Sequence, residues 1–598
     1  MKNAFVIVTL SAMLSACAVA SKQQGETPAP APQPPAARAQ SGDAAADPAT
    51  DASQTDEKLP NVKLTPTLMY QLMKAELDYK KGDWQGPYLT MLSLAQQTKD
   101  PRLAQRAAEM ALSAKQPDDA LAAVRLWRQL APDSEEASQY YLGLVVISDN
   151  IAEAEPIFRQ RLAQADSTIR PLLLFQMQQL LMRAKDKEAG NAMLERLVEP
   201  YRNTMEGHVV LAQAAQARGA RDVALREANA ALAMKPDSEI AVLTLAQVTE
   251  DEAKIVDLLG NFLASHPKAR EVRAARARVL VNQKQFEAAR KEFLVLLADQ
   301  PNNAGTLYAL GLLSLQMNDS PAAEKYLSHF VDVLGDNPDD ERDPSKALLI
   351  LSQIAEDRRD YSAALGWLDK IPDDDSKVAF GTQLRRAQLM GKQGDVEAAR
   401  KLLATLKPED VADQAQVAVT EAMVLRDAGR IEDAYRQMAA AAKRFPANTD
   451  LLYDFALMAE KAGHLDVMET TLRKVMAQAP DNHHAYNALG YSLAERNVRL
   501  QEAFQLIDKA LKMAPGDPFI MDSMGWVQYR LGNLNEAELL LRRAYALRSD
   551  PEIAVHLGEV LWKKGQKAAA QQLWHEAHAK DPQNDALRET LARLHLSL

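Results

Sequence analysis

Small and apolar residues recur along this chain at helical spacing, in blocks that resemble one another. One block reads Leu557-Gly558, Leu561, Gly565, Ala570, Trp574, Ala577, Pro582. A second reads Met524-Gly525, Gly532, Ala537, Leu541, Ala544, and a third Leu211-Ala212, Ala215, Gly219, Ala224, Ala228, Ala231, Pro236. Each block predicts two helices and a short turn. The early small residue and the later alanines fall where paired helices cross closely, and a larger side chain would push the pair apart. The mid-block glycine is expected to end the first helix in the left-handed conformation, which alanine reaches only at a cost. The proline closes the second helix. Asp133, Asp237, Asn302 and Asp481, each following such a proline, are expected to cap the next helix.

The blocks keep a period. Pro267 and Pro301 stand 34 residues apart, Pro446 and Pro480 34, and Pro480 and Pro515 35. Gly394, Gly429, Gly463, Gly532 and Gly565 run in a parallel phase. A period of about 34 with this internal grammar resembles the tetratricopeptide repeat. The resemblance implies an all-α solenoid, a right-handed superhelix of helix–turn–helix units. Dividing Leu64–Asn584 by that period gives about fifteen units. Units near Ile169–Arg202, Glu239–Pro267 and Ser345–Asp373 lack several signature residues, and Asp336–Asp343 marks an insertion or seam. We therefore expect an N-terminal array over 61–344 and a C-terminal array over 345–584. Residues 585–598 read as a solvating cap helix, with Arg588, Glu589 and Arg593 beside Leu587, Leu591 and Leu594.

The N-terminus breaks the pattern. Lys2 precedes an apolar run from Ala4 to Ala16, too short to span a bilayer, which needs about 20 residues. It fits a secretory signal peptide over 1–16. Leu14-Ser15-Ala16-Cys17 resembles a bacterial lipobox at all four positions. That resemblance implies diacylglyceryl transfer to the Cys17 sulfur, cleavage before it and acylation of the new amine, an anchor of two or more chains. Residue 18 is Ala, and the absence of Asp there implies sorting to the outer membrane. Residues 17–60 are expected to be the lipidated N-terminus and a disordered Pro/Ala-rich tether, with a coil span of roughly 35 Å.

Composition narrows the function. The 598 residues include 70 Lys plus Arg and 81 Asp plus Glu, a formal charge of −11, which argues against a nucleic-acid binder. A lone cysteine excludes a disulfide framework and the usual cysteine-ligated metal centres. No phosphate-binding glycine loop, hydrolase elbow or H-E-x-x-H is present. His575 and His578 share a helix face without a third ligand, and His483-His484 falls in a turn between units. Ser265-His266-Pro267-Lys268 matches S-x-x-K but sits on a repeat-closing proline. Asp373-Asp374-Asp375 lacks the glycine and terminal Glu of a calcium loop. The expectation is a non-catalytic protein without metal or cofactor.

What a helical array offers is surface. By the family resemblance, positions five, nine, twelve and thirteen of each first helix point inwards. In the C-terminal units these are Asn487, Tyr491 and Glu495, then Asp522, Trp526, Tyr529 and Arg530, then Glu559, Trp562 and Lys563. The aromatics among them are either anchors for a partner or fillers between neighbouring first helices. The stretches Leu68–Leu77, Thr98–Ala107, Asn487–Tyr491, Asp522–Val527 and His556–Trp562, with the lipobox, resemble proteobacterial outer-membrane tetratricopeptide lipoproteins. That group includes the adaptor of a periplasmic carboxyl-terminal processing protease. The resemblance implies a scaffold presenting peptidoglycan hydrolases to such a protease. The alternative is an envelope assembly component for outer-membrane protein insertion or polysaccharide export.

Overall fold

The computed structural model describes residues 60, 62–148, 150–335, 342–372 and 376–597. The signal peptide, Cys17, nearly all of the tether, most of Asp336–Asp343 and the run Asp373–Asp375 lie outside the described residues. Those described form 31 α-helices, α1 (Pro66–Lys80) to α31 (Asp585–Leu594) in chain order, with two short 3-10 turns and no strand. The chain divides into two compact units, one ending at Val333 and one beginning at Leu334.

Within each unit the helices pack as antiparallel pairs, and the signature residues lie at the crossings. Ala224, Ala228, Ala231, Ala537, Ala544, Ala570 and Ala577 are buried. At Gly558 an added Cβ would collide with the Trp574 indole, so only glycine lets those two helices approach. Trp574 is itself buried and donates from Nε1 to the carbonyl of Val555 at 3.3 Å.

The turn glycines take the left-handed conformation, as at Gly463 with φ +81°. The same place in other units holds Lys115, Lys284, Asn318, Arg359 or Asn497, all with positive φ. The glycine phase is therefore a partial view of a conformation every such unit needs. The units that look degenerate in sequence are helix pairs too. Arg170–Leu181 pairs with Lys187–Val198, Glu239–Val248 with Glu252–Ser265, and Ser345–Asp357 with Tyr361–Leu368. Asp186, Asp251 and Asp360 start their second helices by accepting from backbone N–H groups.

The capping expectation needs correction. Asp133, Asp237, Asn302 and Asp481 are not the caps; Ser134, Ser238, Asn303 and Asn482 are. Each accepts from the N–H three residues on, as in Asn303 Oδ1 to Thr306 at 3.0 Å. The proline and its successor form the turn, so the first position free to cap is two beyond the proline. Asn448, Asp517 and Asn584 follow the same rule.

Candidate functional site

The residues expected to face a partner belong to three first helices of the second unit: α25 (His483–Glu495), α27 (Pro518–Arg530) and α29 (Pro551–Lys563). The structure brings them together, largely with one another. Trp526 is 1% exposed, Asp522 6% and Glu559 1%. As exposed contacts for a partner these three are corrected: they are interior groups joining successive first helices. Trp526, at position nine, packs against His556 and Glu495 of the first helices on either side.

The centre is a buried acid–base pair. Asp522 accepts from His556 Nδ1 at 2.9 Å, and His556 is 4% exposed. Burial pushes the imidazole pKa down, but the Asp522 carboxylate, with Glu552 and Glu495 behind it, raises it to about 9. His556 is thus a cation at neutral pH. The Trp526 ring stacks on it with centroids 4.3 Å apart, and Tyr529 stacks on Trp526 at 5.0 Å. On its far side His556 Nε2 lies 3.4 Å from Tyr491 Oη. Tyr491 is two units upstream of His556, so the face lined by first helices curves inward here. Burial, reinforced by Glu552 and Glu495, drives the Tyr491 phenol far above its usual range.

Two further anchors flank this centre. Trp526 Nε1 donates to Glu495 Oε2 at 2.6 Å, and Arg530 donates to the Glu495 backbone carbonyl at 3.1 Å while lying 4.7 Å from the Trp526 ring centroid. Tyr529 donates to Glu559 at 3.0 Å, and Arg593 of α31 makes a two-pronged contact with Glu559 at 2.5 and 2.7 Å. Burial would lift the Glu559 pKa; Arg593 overrides it and holds the carboxyl below its usual range. Tyr529 is pushed up to about 12, by burial first and then by Glu559. Arg593 therefore does more than solvate the cap helix: it neutralises an interior charge. Sequence reasoning placed His556 in a family-like stretch and Arg593 on the cap helix but missed their pairing with Asp522 and Glu559, because neither occupies a signature position.

The remaining expected residues divide. Trp562 is half-buried, 5.6 Å from Trp574 with Lys567 over its ring. Asn487 is half-buried and its Oδ1 has no hydrogen-bond partner. His483 opens α25 and lies beside His484, with ring centroids 4.1 Å apart and planes tilted by 41°. His575 and His578 are exposed, and among the described residues no three His, Cys, Asp or Glu side chains converge as metal ligands. Ser265 ends a helix and His266 caps it, so Ser265–Lys268 is a turn. Among the described residues no helix is long and apolar enough to cross a membrane.

Stacked helix pairs, small residues at their crossings and an inward face of first helices define a helical-repeat protein. A family model described as tetratricopeptide repeat matches residues 465–518. A tetratricopeptide-repeat-containing protein of Pseudomonas aeruginosa is 38% identical over 212 residues, covering 36% of this chain and 36% of that protein. Among solved structures, a thermophilic tetratricopeptide protein of Thermus thermophilus is 24% identical, covering 30% of this chain and 100% of its own, with a TM-score of 0.28. One from Parabacteroides merdae is 14% identical, covering 42% and 97%, with a TM-score of 0.33. The described residues thus form a tetratricopeptide-like repeat array, with the family match itself confined to residues 465–518; repeats of this kind are in general non-catalytic scaffolds for protein–protein interaction.

Proposed function

We propose that this protein is an outer-membrane-anchored adaptor, tethered through lipid on Cys17, whose repeats hold soluble periplasmic partners together. The partners are a carboxyl-terminal processing protease and the peptidoglycan hydrolases it degrades. The adaptor breaks no bond; it raises the effective concentration of one partner beside the other. The observation that carries this reading is the chain's lone cysteine, placed at the end of a lipobox and ahead of a body built of scaffold repeats.

The test has two parts. Cys17→Ser should move the protein from the outer-membrane fraction to the soluble fraction with its helical content unchanged; a variant that still fractionates with the membrane overturns the anchor. Capture of the lipidated protein from solubilised envelopes should recover a soluble processing protease with wall hydrolases, and adding the adaptor to the two purified partners should accelerate cleavage. Recovery of barrel or export proteins without a protease would replace this reading with envelope assembly.

A further inference from the structure

The folded body opens on a helix that is apolar on two sides, of which only one is packed. We propose that the other side of this helix, α1, rests on an anionic lipid surface. The proposal deepens the tethered-scaffold reading and rests on it for the nearness of a bilayer.

On α1, Met69, Met73 and Leu77 stand four apart, with Tyr70 next to the first of them. That spacing puts all four on one helix face. They are exposed, Met69 at 49%, Tyr70 at 65%, Met73 at 54% and Leu77 at 55%. Val62 and Leu64, just ahead of the helix, are exposed as well. The packed side of α1 is a different one: Ala75 is buried, and Leu72 and Tyr79 lie against the core of the first unit. Met73 and Leu77 also form one wall of an open groove of about 420 Å³, completed by Leu72, by Met91 of α2 (Gln85–Thr98) and by Leu103 of α3 (Pro101–Ser113). The groove carries the apolar surface on from α1 towards α3.

The charges at the edge of this face are not mixed at random. By helical spacing Lys80 lies on it, and Lys74 and Lys81 border it on one side. Asp78 sits behind those two lysines and accepts from Lys74 Nζ at 2.9 Å. On the other border Glu76 is neutralised by Arg106 of α3 at 2.8 Å. An approaching surface therefore meets apolar side chains with lysines at their rim, on a chain whose net charge is −11. That is the pattern of a helix lying in a membrane interface, where apolar side chains enter the boundary of the acyl chains and lysines reach the anionic headgroups.

Location selects the occupant. In the anchor reading the lipid sits on Cys17, and the tether after it spans roughly 35 Å as a coil. Helix α1 begins six residues beyond Pro60, so it is the first folded element the anchor holds beside the bilayer. The tether cannot cover the face itself, because from Ala18 to Pro60 its large apolar side chains are Val19 and Leu59 alone. A second copy would press Lys74, Lys80 and Lys81 against their own kind, which opposes pairing along this face. Four half-exposed side chains make a weak, reversible contact, one that does not by itself keep Cys17→Ser in the membrane fraction.

The experiment uses the chain from Ala18 onward. It keeps every described residue and lacks the lone cysteine, and with it any lipid. Flotation with phosphatidylethanolamine–phosphatidylglycerol vesicles should show binding at about 1 mM lipid. Met73→Ser/Leu77→Ser should weaken it at least about tenfold. Lys80→Gln/Lys81→Gln should weaken it about tenfold on these vesicles and leave the fainter binding to neutral phosphatidylcholine vesicles unchanged. Leu539→Ser, at a side chain just as exposed on a second helix of the other unit, should change nothing. Circular dichroism checks that each variant is folded. A polarity-sensitive dye on Met73→Cys should shift to the blue on vesicles, whereas the same dye on Leu539→Cys should not. No binding by the unsubstituted chain, unchanged binding by Met73→Ser/Leu77→Ser, or equal loss in Leu539→Ser overturns the proposal. So does a dimer in sedimentation, or a protein captured from envelopes, that Met73→Ser/Leu77→Ser abolishes while vesicles never bind. Fractionation of Cys17→Ser reads the anchor and vesicle binding of this lipid-free chain reads α1, so the failure of one is distinguishable from the failure of the other.

Discussion

Gly463 sits at φ +81° with open space where a Cβ would go. A methyl there meets nothing, so Gly463→Ala isolates the cost of the left-handed backbone, about 1 kcal/mol, read as a lower urea midpoint at unchanged slope. His556 supports a pH prediction. Its pKa is raised to about 9 in the folded protein, above the ordinary value of 6.5. The stabilisation is therefore complete below about pH 6.5 and is lost as pH rises through about 9. Wild type should lose about 3 kcal/mol across that window, and His556→Gln, less stable at neutral pH, should not show the same loss. Turn glycines and closing prolines were legible because backbone conformation selects residue type. The caps were misplaced by one, since the turn itself consumes the residue after the proline. His556 was illegible: its partners lie 34 and 65 residues away in sequence.

At the scale of the element, the helix pair emerged from periodicity even where the signature had decayed. The second helix of the Ser345–Asp357 pair, Tyr361–Leu368, has only 8 residues, and side-chain capping by Asp360 starts it. What periodicity did not reveal is whether an inward-facing aromatic is exposed. That depends on how closely successive first helices approach, which the side chains of other units decide. Trp526, stacked between Tyr529 and His556 and hydrogen-bonded to Glu495, serves packing first. Trp526→Ala should cost about 3–5 kcal/mol in thermal or urea unfolding, whether or not a partner is present. A variant of native stability that lost only partner capture would restore Trp526 as a contact residue.

Across the whole molecule, the period near 34 foretold the architecture, and the two compact units show where contact density changes. The N-terminal helix leaves Met69, Tyr70, Met73 and Leu77 exposed, whereas the C-terminal helix α31 buries Leu587 and sends Arg593 back to Glu559. The C-terminal helix is thus an electrostatic closure as well as an apolar lid. Arg593→Met should cost about 2 kcal/mol, less than a fully buried pair because Arg593 is half exposed. Deleting the residues after Asn584 should cost more, because Leu587 goes as well. Differential scanning calorimetry of the two variants gives the order. A reversed order would mean that Glu559 finds another partner once α31 is gone.

Repeat arrays ordinarily couple each unit to its immediate neighbours alone. The contact between Tyr491 and His556 skips a unit, passing over Asp522 and Trp526 to join helices that are not neighbours in the stack. Such a stitch changes how the fold bears load. An array held by nearest neighbours peels from its end in equal, independent steps. Here the last pairs are sewn together, so tension transmitted from a captured partner meets a block that yields in one event. Below that force, a partner held on this part of the chain stays on a surface whose curvature does not change.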